Sequence, residues 1–189
     1  MRPRVDIEQR VASLLVEHGI TEPPIPAAII AKNSGLHVIE SPIPGEVSGA
    51  LLRTRGMTVI AVNSGHHPNR RRFTIAHELG HYFLNHEGEK EHLDWTFTVL
   101  RRDGRSSEAT DDGEIEANFF AANLLMPKAF LREDISQLAR FNGEVVLSQS
   151  DVLSLARRYE VSELAMTYRL ISLGFIDPIE DRPSLSEPI

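Results

Sequence analysis

There is no cysteine among the 189 residues. That absence excludes disulfides and any thiolate metal site. Long apolar runs are missing too: none approaches the ~20 residues that cross a bilayer as a helix. The first ten residues, M-R-P-R-V-D-I-E-Q-R, carry no apolar core behind their basic side chains, so no secretory leader is read there. A cytoplasmic protein with no membrane partner is the expectation. Basic residues are in the minority, with 20 Lys and Arg against 27 Asp and Glu and a formal net charge of -7. Duplex binding rests on neutralising phosphates with Lys and Arg. The concentrated basic runs are Arg70-Arg71-Arg72 and Arg101-Arg102, and neither lies in an obvious reading helix. Direct nucleic-acid binding is therefore disfavoured.

The length is enough to bury a core and suits one medium domain with a small appendage. Val5, Ile7, Val11, Leu14 and Leu15 recur at helical spacing over residues 5–18, with Gly19 as the cap. A short helix follows at 26–34 and a strand at 36–40. The runs S-G-A-L-L-R and M-T-V-I-A-V-N flank a turn at Thr54 to Gly56 and read as a hairpin. Its second strand, 57–63, is placed at the sheet edge, where it can pair with an extended substrate. Pro68 and Asn69 start a helix. Residues 87–113 read mainly as loop, with Leu93 to Leu100 as one ordered piece. A second strong helix runs from Gly113 and stops at Pro127. Residues 128–141 read as helix, Gly143 as a break, and 148–159 and 162–173 as two further helices. The proline-bearing end, from 177, reads as an extended or mobile arm.

The informative stretch is R-R-F-T-I-A-H-E-L-G-H-Y-F-L-N-H, residues 71–86. On a helix, positions i and i+4 lie one above the other, so His77 and His81 can reach one ion at about 2.0–2.1 Å. Glu78 is rotated about 100° from His77. It is poorly placed to ligate beside them and well placed to reach a water at the same ion. This is the physical basis of the H-E-x-x-H zinc-hydrolase signature. Two core histidines satisfied by ordinary partners would be the plainer account. Gly80 argues against it: a helical glycine costs ~1 kcal/mol relative to alanine and marks a close approach to the backbone.

A catalytic zinc takes three protein ligands and keeps one position open. His86 is five residues past His81 and leaves that face of the helix. An extended H-x-x-G-x-x-H pattern fails, because Leu84 and Glu87 stand where its glycine and histidine would be. A glutamate from the second helix remains, either Glu114 or Glu116. Glu114 shares a stripe with Asn118, Ala121 and Leu125, whereas Glu116 lies with Phe120 and Asn123. Asn118 can support a ligand histidine from behind, which favours Glu114 as ligand and keeps Glu116 as its substitute. Tyr82, His66, His67 and Tyr168 are equivalent candidates for an oxyanion donor.

R-F-T-I-A-H-E-L-G-H-Y-F-L-N-H, followed by E-I-E-A-N-F-F-A-A-N-L-L-M-P, resembles the ImmA/IrrE family of metallopeptidases. V-S-G-A-L-L-R and I-A-V-N-S resemble it too. The likeness covers residues 5–130 well and continues loosely through L-A-R-R-Y-E-V-S-E-L-A-M-T-Y-R-L. It implies an α+β fold: a small zincin-like, gluzincin-type domain with a short antiparallel sheet and two metal-site helices. It implies one zinc per chain on His77, His81 and a glutamate of E-I-E-A-N, with Glu78 as the catalytic carboxylate; another divalent ion is the variant. Related zinc peptidases with a Glu-x-x-x-Asp pattern use the first glutamate, and here Asn118 stands in place of the Asp. The resemblance also implies a bacterial or phage protein that cleaves a helix-turn-helix (HTH) repressor.

The expected organisation is a peptidase domain at 1–135, a helical HTH-like module at 136–176 and a flexible tail at 177–189. The module's second helix offers Ser162, Glu163, Met166, Thr167 and Arg169, of which one is basic. That suits packing or partner docking better than DNA reading. A zinc-binding regulator that docks a repressor without cutting it, and a DNA-binding regulator using 148–173, are the competing functions. Nothing in the sequence sets an oligomeric state.

Overall fold

The structure is a computed structural model and describes residues 1–45, 47–54, 56–86, 92–94, 112–138, 140–141 and 144–177. Helix α1 spans Arg4–Glu17 and buries Ile7, Val11, Leu14 and Leu15, while Val5 stays exposed. It ends at Gly19, whose φ of +63° is the left-handed conformation glycine adopts without strain. The Gly19 N–H donates to Val16 and the Ile20 N–H to Leu15, closing a Schellman cap. Helix α2 follows at Ala27–Asn33.

Strands β1 (Leu36–Ser41), β2 (Gly49–Thr54), β3 (Met57–Asn63) and β4 (His92–Asp94) form one sheet in the order β1-β3-β2-β4. β2 and β3 are the expected hairpin, with Thr54 opposite Met57 and Gly56 at φ +84° in the turn. Two expectations are corrected. The sheet is mixed rather than antiparallel, because β1 runs parallel to β3 from Leu36 opposite Thr58 to Ser41 opposite Asn63. And β3 is interior, with both of its hydrogen-bonding edges taken by β1 and β2, so it cannot accept a substrate strand. The strand has the apolar middle of a buried strand, with Ile60 and Val62 fully buried. Of the ordered piece expected at Leu93 to Leu100, residues 93–94 fall in β4 and 95–100 lie outside the described residues.

Helix α3 (Pro68–Phe83) begins with Pro68 in its first turn, and the His67 ring caps it by accepting from the Asn69 N–H at 3.3 Å. From Thr74 to His81 every residue is buried, as in a helix enclosed on all sides. Helix α4 (Asp112–Leu125) packs along it, and α5 (Lys128–Ser136) follows Pro127. The helix expected to continue to 141 stops at Ser136 instead. Beyond it, β5 (Arg140–Phe141) pairs with β6 (Glu144–Val145), Phe141 opposite Glu144. The two residues between are Asn142 and Gly143, and Asn-Gly is the strongest short hairpin signal. Helices α6 (Gln149–Tyr159) and α7 (Glu163–Ser172) come last. Ser148 and Asp151 form a capping box on α6, and Ser162 caps α7 by accepting from the Ala165 N–H.

A single apolar cluster draws residues from α1 through α7, including Leu14, Ile30, Ile60, Leu79, Phe120, Leu131, Tyr159 and Leu170. Polar side chains tie the last helices to the rest. The buried Arg169 guanidinium donates to the Met126 carbonyl at 3.0 Å and to Asn123 Oδ1 at 2.7 Å. Burial pushes its pKa down to about 10, still far above neutrality. The one basic residue expected on the face of a reading helix is therefore a strut between α7 and α4. The Arg70–Arg72 run is likewise engaged internally. Arg70 donates to Ser48 Oγ, Arg71 pairs with Glu40, and Arg72 reaches the Ile25 and Tyr159 carbonyls and pairs with Glu160 at 3.0 Å. The Arg101-Arg102 run lies outside the described residues, as does the expected tail from residue 178. No helix among the described residues is long and apolar enough to cross a membrane.

A hydrogen bond to a charged group is worth about 1.5–3 kcal/mol, and removing one partner strands the other. Asn123→Ala is expected to lower the unfolding free energy by about that amount, read as a lower urea midpoint with an unchanged denaturant slope. A midpoint equal to wild type would show that Arg169 does not depend on Asn123.

Candidate metal centre

Two very close contacts position α3. A Cβ built on Gly80 would lie 2.9 Å from the Ala117 Cα and 3.1 Å from the Ala117 carbonyl oxygen. The axes of α3 and α4 therefore approach to backbone contact at this pair. On the sheet side, a Cβ on Gly49 would overlap the Thr74 methyl, so the Thr74 side chain of α3 rests directly on the β2 backbone. This is the reason for the glycine in A-H-E-L-G-H. Its cost in helix propensity is offset by a helix–helix approach that no side chain permits.

That approach brings three side chains together across the two helices. His77 and His81 are buried at the adjacent turns of α3, with Nε2 atoms 2.9 Å apart. Glu114, in the first turn of α4, reaches both: Oε2 lies 3.2 Å from His77 Nε2 and Oε1 lies 3.2 Å from His81 Nε2. The candidate ligand atoms of the trio all fall within 4.8 Å of one another. A tetrahedral ion with bonds of about 2.0–2.2 Å spaces its ligands roughly 3.3–3.5 Å apart. The observed separations need open by only a few tenths of an ångström to admit one. Two imidazole nitrogens and a carboxylate, without thiolate, form a borderline-hard donor set that suits a divalent transition ion. These three residues could hold a metal.

Electrostatics agree with the geometry. Burial opposes ionisation of Glu114, but its hydrogen bonds to His77 and His81 outweigh burial and hold the carboxyl well below the usual range. The Glu114 side chain is 35% exposed, against 3% and 2% for the two histidines. The trio is thus closed on the α3 side and open to solvent beside Glu114. Asn118, one turn along α4, places its Oδ1 3.1 Å from His77 Nδ1. With the His77 proton on Nδ1 that amide oxygen accepts it, and the Nε2 lone pair is then the one available to an ion. Glu78 is fully buried on the neighbouring face of α3.

Glu116 goes elsewhere. Its Oε2 lies 3.1 Å from His86 Nε2, and its Oε1 accepts from the Arg2 backbone N–H. Burial raises its pKa, but the Arg2 N–H and His86 outweigh that and lower it overall. His86 is the residue that sequence reasoning set aside. The five-residue offset removes it from the His81 face only if the helix continues, and α3 ends at Phe83. Asn85 takes a left-handed φ of +50°, its N–H donates to Tyr82, and the His86 N–H donates to His81. This Schellman turn folds the chain back, and His86 Nδ1 comes to 3.0 Å from His81 Nδ1. An asparagine shortly after an apolar helix was the available signal.

The oxyanion candidates fall in scattered places. His67 caps α3 ten residues before His77, about 15 Å along the axis, and His66 precedes it. Tyr82 sets its ring edge-on to Phe83 at 5.1 Å, and Tyr168 is half exposed on α7.

A family model described as the IrrE N-terminal-like domain, a peptidase family, matches residues 31–171. The chain belongs to the ImmA/IrrE family. It is 26% identical over 158 residues to the metallopeptidase ImmA of Bacillus subtilis (strain 168), covering 84% of this chain and 85% of that protein. Its fold is similar to that of a Mycobacterium tuberculosis transcriptional regulator, with a TM-score of 0.59 and 22% identity. That match covers 95% of this chain but only 57% of the regulator, so the chain spans little more than half of that protein. The family supports a metallopeptidase, and the matched region contains both H-E-L-G-H and E-I-E-A-N.

The Gly80–Ala117 contact gives a signed expectation. Alanine favours a helix over glycine by ~1 kcal/mol, but overpacking a tight interface costs typically 1–3 kcal/mol. Gly80→Ala should therefore melt below wild type in a calorimetric scan. A higher melting temperature would mean that the helices can separate without loss.

Proposed function

We propose that this member of the ImmA/IrrE family is a zinc-dependent endopeptidase that cleaves a partner protein, an HTH-type transcriptional repressor, and so relieves repression. The observation that carries the reading is the convergence of His77, His81 and Glu114 at 2.9–3.2 Å beside a buried Glu78. The repressor as substrate rests on the family resemblance.

His77 and His81 would hold the ion through their Nε2 atoms and Glu114 through a carboxylate oxygen. When bound, zinc supplies Lewis acidity toward a water and toward the scissile carbonyl. The residues of this chain do the rest. Asn118 fixes the tautomer and ring plane of His77. The partly exposed side of Glu114 marks where a peptide can approach. Glu78, one position from His77 and turned about 100° from it, takes the proton from the attacking water and returns it to the leaving amine.

Docking is assigned to the C-terminal helices, since β3 is enclosed in the sheet. Leu164 and Tyr168 lie one turn apart on α7 and are half exposed, and Leu153 on α6 is exposed as well. Exposed aromatic and aliphatic groups are the usual anchors of a protein contact. Arg169 faces inward, which removes the main support for DNA reading by this helix. The non-catalytic regulator is the remaining competitor, and the carboxylate at Glu78 favours an enzyme over it.

Two tests follow. Purified protein should hold about one zinc per chain, as a three-ligand catalytic site does. His77→Ala, His81→Ala and Glu114→Gln should each lose it, by elemental analysis after dialysis, whereas Glu116→Gln should still load in excess zinc. Full metal content in both histidine variants would end the metal reading.

The second test separates enzyme from binding module. A general base contributes typically 10²–10⁴-fold, so Glu78→Gln should keep zinc and fold while cleavage falls by at least 100-fold. Wild-type and variant proteins would be co-expressed with candidate HTH-type repressors from the source genome, then read by gel for fragments and by pull-down for complex. Fragments from the wild type alone support the peptidase. Binding by both without fragments from either, under every inducing condition tried, makes the protein a docking regulator.

A further inference from the structure

The candidate ligands of α3 are supported unequally from behind. His77 leans on an amide of α4, as described. His81 leans on a second imidazole, which leans in turn on a buried carboxylate. His86 Nδ1 is 3.0 Å from His81 Nδ1, and His86 Nε2 is 3.1 Å from Glu116 Oε2. Glu116 has an 8% exposed side chain, His86 a 13% exposed one. The far side of Glu116 is held by the Arg2 backbone N–H, with the Arg2 guanidinium 3.9 Å away. Four groups from α1's leading residues, α4, the turn after α3 and α3 itself therefore stand in one line ending at His81.

The donor and acceptor roles along this line are set from the Glu116 end. An ionised carboxylate only accepts, so the His86 nitrogen facing Glu116 carries the proton. A neutral His86 then presents a bare lone pair at Nδ1. The neighbouring His81 Nδ1 is then the matching donor, in competition with the Glu114 carboxylate 3.2 Å from His81 Nε2 for the one ring proton; with the proton on Nδ1, the Nε2 lone pair faces His77 and Glu114. The rings of His81 and His86 meet edge-to-face, with centroids 5.0 Å apart and planes at 77°. That geometry suits a ring N–H directed at a lone pair rather than a stacked apolar contact.

We propose that His86 and Glu116 are positioning residues. They act as a hydrogen-bonded pair that locks His81 in its Nδ1–H tautomer and turns its Nε2 toward the metal position. The inference rests on the metal reading given above and assigns to Glu116 a supporting place rather than a ligand's. It also gives a purpose to the Schellman turn at Asn85, which returns the chain over His81 when an uninterrupted helix would carry His86 away. Outer partners of this kind raise the basicity of a ligand imidazole and hold its orientation, and their loss typically weakens metal binding 10–100-fold.

The test uses metal-free, ¹⁵N-labelled full-length protein at pH 8 and zinc as the probe. Long-range ¹H–¹⁵N spectra report the His81 tautomer, and chelator competition reports the zinc dissociation constant. Wild type should show the Nδ1–H form. His86→Ala and Glu116→Ala should mix the tautomers and weaken zinc binding 10–100-fold. His86→Asn, which retains an acceptor near the Nδ1 position, should recover most of the loss. A role in packing alone would move the melting temperature without this recovery and without a change of tautomer. If His86→Ala does not fold, Glu116→Ala decides, because it leaves the His81–His86 pair in place. An unchanged tautomer and a dissociation constant within twofold of wild type, in any folded variant of the two, overturn the proposal. If wild type binds no zinc at all, the functional reading falls instead, and the tautomer of the metal-free protein still decides this one.

Discussion

The backbone contact of α3 with α4 at Gly80 and Ala117 is the constraint on which the site depends. Packed helices ordinarily stand 8–10 Å apart, and here the backbones touch at Gly80 and Ala117. With no Cβ at Gly80, α4 comes close enough for Glu114 to span both histidines and for Asn118 to reach the back of the first. The matching contact of Gly49 with Thr74 fixes α3 from its other side. The helix is clamped between sheet and helix, and its polar face cannot turn away.

Much of the remaining structure serves to hold that clamp. The sheet offers β2 as a seat, and Asn63 at the end of β3 ties down the loop before β2 by hydrogen bonds to Ile43 and Val47. The C-terminal helices contribute through polar struts rather than through a reading surface. Arg169 closes the carbonyl end of α4, and Arg72 joins α3 to the turn between α6 and α7. Charges that a basic sequence might have directed at nucleic acid are thus turned inward in this acidic chain.

What could be read in advance was local. Helical periodicity puts His77 and His81 on one face, and the same period separates the Glu114–Asn118 stripe from the Glu116–Phe120 one. The cap at Gly19, the hairpin at Gly56 and the turn before Ser162 were legible because each is a short-range rule about φ or about hydrogen bonds within a few residues. Three features were not. The parallel pairing of β1 with β3 joins strands separated by another strand, and no local pattern encodes which neighbour a strand chooses. The enclosure of β3 follows from that choice. The end of α5 at Ser136 goes with the pairing of β5 and β6 beyond it, a contact that helical periodicity does not encode. The place of His86 follows from the end of α3 at Phe83 and the turn at Asn85, which no helical period foretells.

The sequence by itself determined the chemistry: two imidazoles at i and i+4, a carboxylate between them, a choice of two further carboxylates on a second helix, and no thiol to compete. Only the tertiary structure decided which carboxylate joins the histidines and which stands behind His86. The period of a helix sets the angles between side chains on one element, but the distance between two elements is set by what lies between them. Here that is a glycine hydrogen against an alanine, and the space it leaves is the width of the site.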